Sequence, residues 1–323
     1  MTAKFERIGF LSELHYPTQW YSKLIVAILA LSFFSLLAAG AISAFLVYRM
    51  VTPAESRMDL DLKDFPGHPE VLPYTLAEGA PRTGWFFPGL KSAPTVVLCP
   101  GYQSGRGELV TLASALQEQQ YNVLLFDFSA QGSNGGHSTL GYQEPAELRS
   151  AMDAVARRGD VDAGRFGLWG VDLGAYVTLM EATGDRRVRA IAVESAYDEP
   201  GVLAGVLITR SGLGSLPLIR GTANWGFRWF NYQYRTTPSL KTRLGRLNGI
   251  AQLYMQAPDE PVLTAATAEL FRLSPPPHEL VSLPHGNYGG MQDEEKRTYE
   301  NQIVSFFLVN LPLVAAPAST PGH

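Results

Sequence analysis

The 323-residue chain has one cysteine, Cys99, so it can form no internal disulfide and holds no cysteine pair spaced for a metal. Charged residues make up only 17% and the net charge is -4, with no basic stripe interleaved with aromatics, so nucleic-acid binding finds no support. No internal repeat is present, which excludes solenoids and propellers. No cofactor fingerprint or metal-ligand cluster stands out, and neither a cofactor nor a metal is expected. Most telling is a local lack: between Lys23 and Arg49 there is no charged residue at all.

That run, residues 24–48, would extend roughly 37 Å as a helix, enough to cross a bilayer with some tilt. Tyr16, Trp20 and Tyr21 precede it and Tyr48 closes it, as interface aromatics do. A cleaved signal peptide is the alternative, since Ala39-Gly40-Ala41 is a small-residue site; yet the apolar run continues past it through Phe45, Leu46 and Val47. The expectation is an uncleaved single-pass membrane anchor with the lipid bilayer as partner, standing apart from the globular part. Lys4, Arg7 and Lys23 before the span and Arg49, Arg57 and Lys63 after it give the positive-inside rule no asymmetry, so the side of the membrane is not set.

The remainder divides by composition. Residues 1–23 are an N-terminal tail, 49–70 a polar tether, 71–312 a folded domain with Leu76 opening its regular part, and 313–323 a disordered Ala/Pro/Ser tail. Inside the domain, short continuous apolar runs (93–99, 121–127, 165–171, 188–194, 250–256) alternate with segments of helical spacing (108–119, 144–158, 264–273, 293–310). Strands buried on both faces and alternating with helices imply a mostly parallel, doubly wound α/β sheet. Residues 198–247 break the alternation and read as a lid inserted over the sheet.

The domain is organised around Gly170-Val171-Asp172-Leu173-Gly174, a sharp turn between an apolar strand and a helix beginning at Ala175. Its two glycines fit a turn too tight for side chains at either flank. Such a motif alone is common; the ordered set around it is specific. Cys99-Pro100-Gly101-Tyr102 follows an earlier buried strand. Asp127-Phe128-Ser129-Ala130-Gln131-Gly132 and onward to Gly135 follows the next. Gln256-Ala257-Pro258-Asp259-Glu260-Pro261 follows a late strand, and Pro284-His285-Gly286 follows the last.

Together these residues resemble the α/β-hydrolase superfamily, nearest its lipase, esterase and peptidase-like branch with a small lid, over residues 70 to 312. Asp127 to Gly135 is similar to that branch's D-x-R-G-x-G-x-S, with Ser129 in place of the arginine, and Gly141 and Glu144 fit the segment that follows. The resemblance implies roles: Asp172 at the nucleophile position, the N–H groups of Tyr102 and Leu173 as oxyanion hole, His285 as general base, and Glu260 or Asp259 as the acid. Trp225, Trp229, Tyr232 and Tyr234 of the lid become candidate substrate contacts, and a small molecule the expected substrate or ligand.

The departure lies at the elbow itself. A serine hydrolase needs an alcohol that histidine can deprotonate, and Asp172 has none. A carboxylate is ionised at neutral pH and could attack an sp3 carbon directly to give an ester. That is the chemistry of the haloalkane dehalogenases and epoxide hydrolases, although Leu173-Gly174-Ala175 departs from their elbows. Two readings follow: a membrane-tethered hydrolase with an atypical Asp172, His285 and Glu260 or Asp259 triad, or a catalytically silent hydrolase fold used for binding or scaffolding. Retention of His285 and Glu260 leans to the enzyme.

Overall fold

A computed structural model describes residues 19–53, 68–286 and 288–314. Most of the N-terminal tail, most of the tether and the end of the C-terminal tail therefore lie outside the described residues.

The first described element, α1 (Trp20–Val51), runs beyond the expected span at both ends. Strands β1 (Glu70–Thr75), β2 (Pro81–Phe87) and β3 (Thr95–Cys99) follow, then α2 (Val110–Glu118), β4 (Asn122–Leu125), α3 (Glu144–Ala156), β5 (Phe166–Val171), α4 (Leu173–Ala182) and β6 (Val188–Glu194). The lid supplies α5 (Pro200–Arg210) and α6 (Pro217–Phe230), and the chain finishes with β7 (Ala251–Gln256), α7 (Pro261–Leu273), β8 (His278–Ser282) and α8 (Asp293–Asn310).

Eight strands form one sheet in the order β1-β2-β4-β3-β5-β6-β7-β8. The first two pair antiparallel with each other, and β2 pairs antiparallel with β4. Every other pairing is parallel. Strands β3, β4 and β5 are buried along their whole length, as expected where helices cover both faces of a parallel sheet. Trp169, Phe166, Tyr299 and Phe307 fill one side or the other of this core at close to zero exposure.

Three features differ from the sequence reading. A strand, β1, precedes Leu76, where the regular part was expected to open: Leu72 and Tyr74 point inward while Val71 is exposed, and Pro73 sits where an edge strand tolerates a missing N–H. The lid, which showed no clear period, contains an amphipathic helix, α6, with Ile219, Ala223 and Phe227 buried; Gly221, Gly226 and two exposed tryptophans mask that spacing. Finally, α1 does not stand apart. Ala39, Ser43, Val47 and Met50 recur every three or four residues and are buried. Ser43 Oγ lies 2.6 Å from Thr222 Oγ1 of α6, and a Cβ on Gly226 would meet Val47 at 3.3 Å. Small residues at such spacing let two helices approach closely. The helix end is tied down as well: Tyr102 Oη donates to the Met50 carbonyl at 3.0 Å, and Ser138 N–H donates to the Val51 carbonyl at 2.8 Å. These bonds satisfy carbonyls that a helix C-terminus leaves without partners.

Candidate functional site

The site is built at the carboxyl ends of β3, β5, β6 and β7, where open α/β sheets bind ligands. The turn after β5 is as tight as its glycines suggest. A Cβ on Gly170 would lie 2.3 Å from the Gly174 backbone, and one on Gly174 would lie 2.1 Å from the Cys99 carbonyl oxygen. Asp172 takes φ 39, a left-handed conformation that costs a non-glycine residue energy, of order 1–3 kcal/mol in sparsely populated regions. Its N–H donates to the Glu194 carbonyl at 2.9 Å and its carbonyl accepts from Tyr176 N–H at 3.0 Å, so β6 and α4 hold the residue from both sides.

The side chain folds back on the loop. Asp172 Oδ1 accepts the N–H of Tyr102 at 2.6 Å and also the N–H of Leu173. The two donors expected to form an oxyanion hole thus converge on one oxygen, and that oxygen belongs to Asp172. Oδ2 makes no hydrogen bond among the described residues. Burial pushes the Asp172 carboxyl up to about 6, against the pull of the two N–H groups and, more weakly, of Arg210.

Asp172 lines a cleft of ≈ 560 Å³ together with Tyr102, Ser104, Glu108, Ser195, Arg210, Asp259 and Glu260. Glu260 is engaged by Arg210, whose Nη2 lies 2.7 Å from Oε2. Asp259 accepts the N–H of Gly286 through both oxygens, at 3.0 and 2.8 Å. The loop after β8 presents Gly286, Gly289 and Gly290 to this cleft. His285 turns the other way. Its side chain is 73% exposed, its Nδ1 lies 3.0 Å from Glu295 Oε1, and it lines a separate cleft with Leu283, Met291 and Tyr299. The physical reason is a contact between two strand-end loops: the bond from Gly286 N–H to Asp259 holds the loop so that residue 286, not 285, meets Asp259. No described histidine lines the Asp172 cleft.

The lid candidates are spread out. Trp225 and Trp229 are 68% and 69% exposed, and Tyr232 is exposed as well. Tyr234 stacks on Tyr142 at 5.2 Å, nearly parallel. None of the four lines the cleft.

Behind the site, the Asp127 loop is stabilised without its arginine. Arg106 donates its backbone N–H to Asp127 Oδ1 at 2.7 Å and places its guanidinium 3.2 Å from Oδ2. Ser129 N–H donates to Glu147, and Arg82 reaches across from β2 to give a bond to Ser129 Oγ at 3.1 Å. A guanidinium from another strand thus binds the side chain at position 129. Glu144 accepts from Ser138, Thr139 and Gly141, which fixes the segment that follows.

Sequence reasoning missed Ser195, Arg210, Ser104 and Glu108 as cleft residues. Ser195 follows β6 with φ 54, and only a strand-end position signals it. Arg210 ends a lid helix whose docking no local pattern reports.

Residues 96–298 match the profile of the alpha/beta hydrolase family. The chain belongs to the α/β hydrolase family. Among its family relatives, the Escherichia coli O157:H7 protein YfhR, itself uncharacterized, is 24% identical over 253 residues, covering 75% of this chain and 82% of that one. A thiohydrolase of Eupenicillium brefeldianum is 28% identical over 138 residues, 40% of this chain and 45% of its own. In structure, the Pyrococcus furiosus esterase Pf2001 superposes with a TM-score of 0.63 at 18% identity, over 81% of this chain and 98% of that one. DcsB, solved in complex with its substrate analogue, gives 0.59 at 16% identity over 76% and 99%. At those identities the two solved structures speak to the fold, which is that of the α/β hydrolases with one long apolar helix near the N-terminus.

Proposed function

We propose that this chain is a membrane-anchored member of the α/β hydrolase family whose cleft binds a polar small molecule without serine-type hydrolysis. One observation carries the reading: Asp172 fills its own oxyanion site, with Oδ1 accepting both the Tyr102 and the Leu173 N–H. An acyl substrate would need those two donors for its developing oxyanion, and they are already engaged by a carboxylate. A triad also needs a base within hydrogen-bond reach of the nucleophile. His285 is paired with Glu295 instead, and Glu260 with Arg210. The cleft's size suits a small ligand, and its lining of serines, acids and one arginine favours a polar one. The anchor rests on α1, long and apolar enough to cross a bilayer.

The second reading, a hydrolase with Asp172 as nucleophile, keeps two supports. A relative named as a thiohydrolase supports hydrolysis in general, and the Oδ2 of Asp172, without a hydrogen bond among the described residues and on a carboxyl mostly ionised at neutral pH, supports Asp172 as the attacking group. In that reading Oδ2 attacks an sp3 carbon, the leaving group departs with the bonding electrons, and water later cleaves the ester.

The test is purified full-length protein in detergent, treated with a fluorophosphonate probe and with panels of p-nitrophenyl esters and thioesters. No labelling, and no turnover above that of Asp172→Ala, is expected. Turnover that Asp172→Ala abolishes would overturn the binding reading. Added mass on the elbow peptide after exposure to haloalkanes or epoxides would establish the nucleophile.

A further inference from the structure

The lid helix α6 has three faces, and only two have a partner among the described residues. Ile219, Ala223 and Phe227 face the core. Thr222 and Gly226 face α1, through Ser43 and Val47. The third carries Leu218, Trp225 and Trp229, all exposed, at spacings of seven and four that put them on one stripe beside the α1 contact. Arg228 is exposed on the far side of this stripe, and Arg235 follows the helix with its guanidinium 4.2 Å above the Tyr232 ring. Two tryptophans flanked by arginines are the side chains of a lipid–water boundary, where one end of the ring is apolar and the other wet.

The anchor supplies the level at which this stripe sits. From Leu24, the first residue after Lys23, a hydrocarbon layer of about 30 Å takes up roughly 20 residues at 1.5 Å each, which ends near Ser43. Residues 24–38 of α1 are exposed or nearly so, and its buried stripe starts at Ala39. Ser43 is the residue that meets Thr222. The point where α1 leaves the hydrocarbon is therefore the point where α6 packs against it.

We infer that α6 stands beside α1 with its N-terminal end at the surface of the same bilayer: the Ser43–Thr222 and Val47–Gly226 contacts run in the same direction on both helices, so Leu218 reaches the acyl chains, Trp225 lies among the headgroups just above them, and Trp229 follows one turn further out. This rests on the anchor reading of α1. The occupant of the stripe is lipid, because α1 holds that face against the membrane wherever the domain goes. The lid tryptophans are then membrane contacts rather than substrate contacts, which agrees with their absence from the cleft lining.

The experiment uses the full chain with Trp20→Phe, which removes the anchor's own tryptophan and leaves Trp85, Trp169, Trp225 and Trp229. Of these four, Trp85 and Trp169 are buried in the domain. The protein is reconstituted into phosphatidylcholine vesicles with or without bromine on the acyl chains, a contact quencher of indole. Expected is a loss of emission in brominated vesicles, abolished when Trp225→Phe and Trp229→Phe are added, changes that keep an aromatic ring at each site. Carbonate extraction of the same vesicles separates the two layers of reasoning. Protein that stays in the pellet while bromine quenches nothing overturns the seating of α6 and leaves the anchor standing. Protein released by carbonate overturns the anchor, and the seating with it. A stripe shielded from bromine in a cross-linkable dimer would assign it to a second copy and also overturn the inference.

Discussion

Replacing Asp172 by asparagine should stabilise the protein at pH 8 and leave it almost unchanged near pH 4. Burial raises the Asp172 carboxyl from 3.8 to about 6, and the Tyr102 and Leu173 N–H groups offset only part of that. A carboxyl raised on folding binds its proton more tightly in the native state. Its contribution to stability is whole below the unfolded value, falls as pH rises, and is fully lost above about 6. At about 1.4 kcal/mol per unit, a shift of about two units makes the charged native state about 3 kcal/mol less favourable than the neutral one, a ceiling because cleft water screens part of it. Asparagine is neutral at every pH, and its Oδ1 can accept the same two N–H groups. The difference between Asp172→Asn and the natural protein should therefore be about 3 kcal/mol at pH 8, about half of that near pH 5, and nearly closed at pH 4. For a domain of this size that corresponds to about 6–12 °C in Tm at pH 8. Thermal melts of full-length protein in detergent across this range read it out. A pH-independent difference, or a lower Tm for the asparagine variant at pH 8, would refute the reasoning, since the negative charge itself would then be what holds the two donors.

Four other outcomes are expected. Asp172→Ser should release the oxyanion donors yet give no esterase activity, because no described histidine reaches the cleft; a burst with p-nitrophenyl acetate would contradict that. His285→Ala removes an exposed pair with Glu295, so stability should change by less than about 1 kcal/mol in urea titrations. Gly174→Ala would set a Cβ 2.1 Å from the Cys99 carbonyl oxygen and should cost about 3 kcal/mol or more, or abolish folding, as judged by near-UV circular dichroism. Tyr102→Phe keeps the N–H to Asp172 but deprives the Met50 carbonyl of its donor, a loss of about 1 kcal/mol that appears as a lower urea midpoint.

The central strands were readable because each is buried on both faces and therefore apolar throughout, as in Thr95–Cys99 and Phe166–Val171. The elbow was readable because backbone crowding at Gly170 and Gly174 leaves no room for other residues. What escaped is long-range. In α1 the docking residues Ala39, Ser43, Val47 and Met50 are hidden among other apolar positions, since a helix apolar all round shows no preferred face. In the loop after β8 the residue types were visible, but which of them faces Asp259 depends on the bond from Gly286, a contact across the sheet's end. The arginine missing at 129 was visible too; the bond that Arg82 gives Ser129 depends on β2 lying beside the Asp127 loop.

The junction of α1 with the domain bears on what a protease could accomplish. Ser43 with Thr222, Tyr102 with Met50, and Ser138 with Val51 all join the helix to the domain, and none of these contacts runs through the intervening chain. Met50 and Val51 are themselves embedded in the domain's apolar core. Hydrolysis of any one peptide bond between Thr52 and His68 would cut the backbone and leave these contacts untouched. The two fragments would form a noncovalent heterodimer and sediment together. Separating the two fragments would require pulling the end of α1 out of that core, with loss of the hydrogen bond from the Tyr102 phenol, the same residue whose backbone N–H holds Asp172.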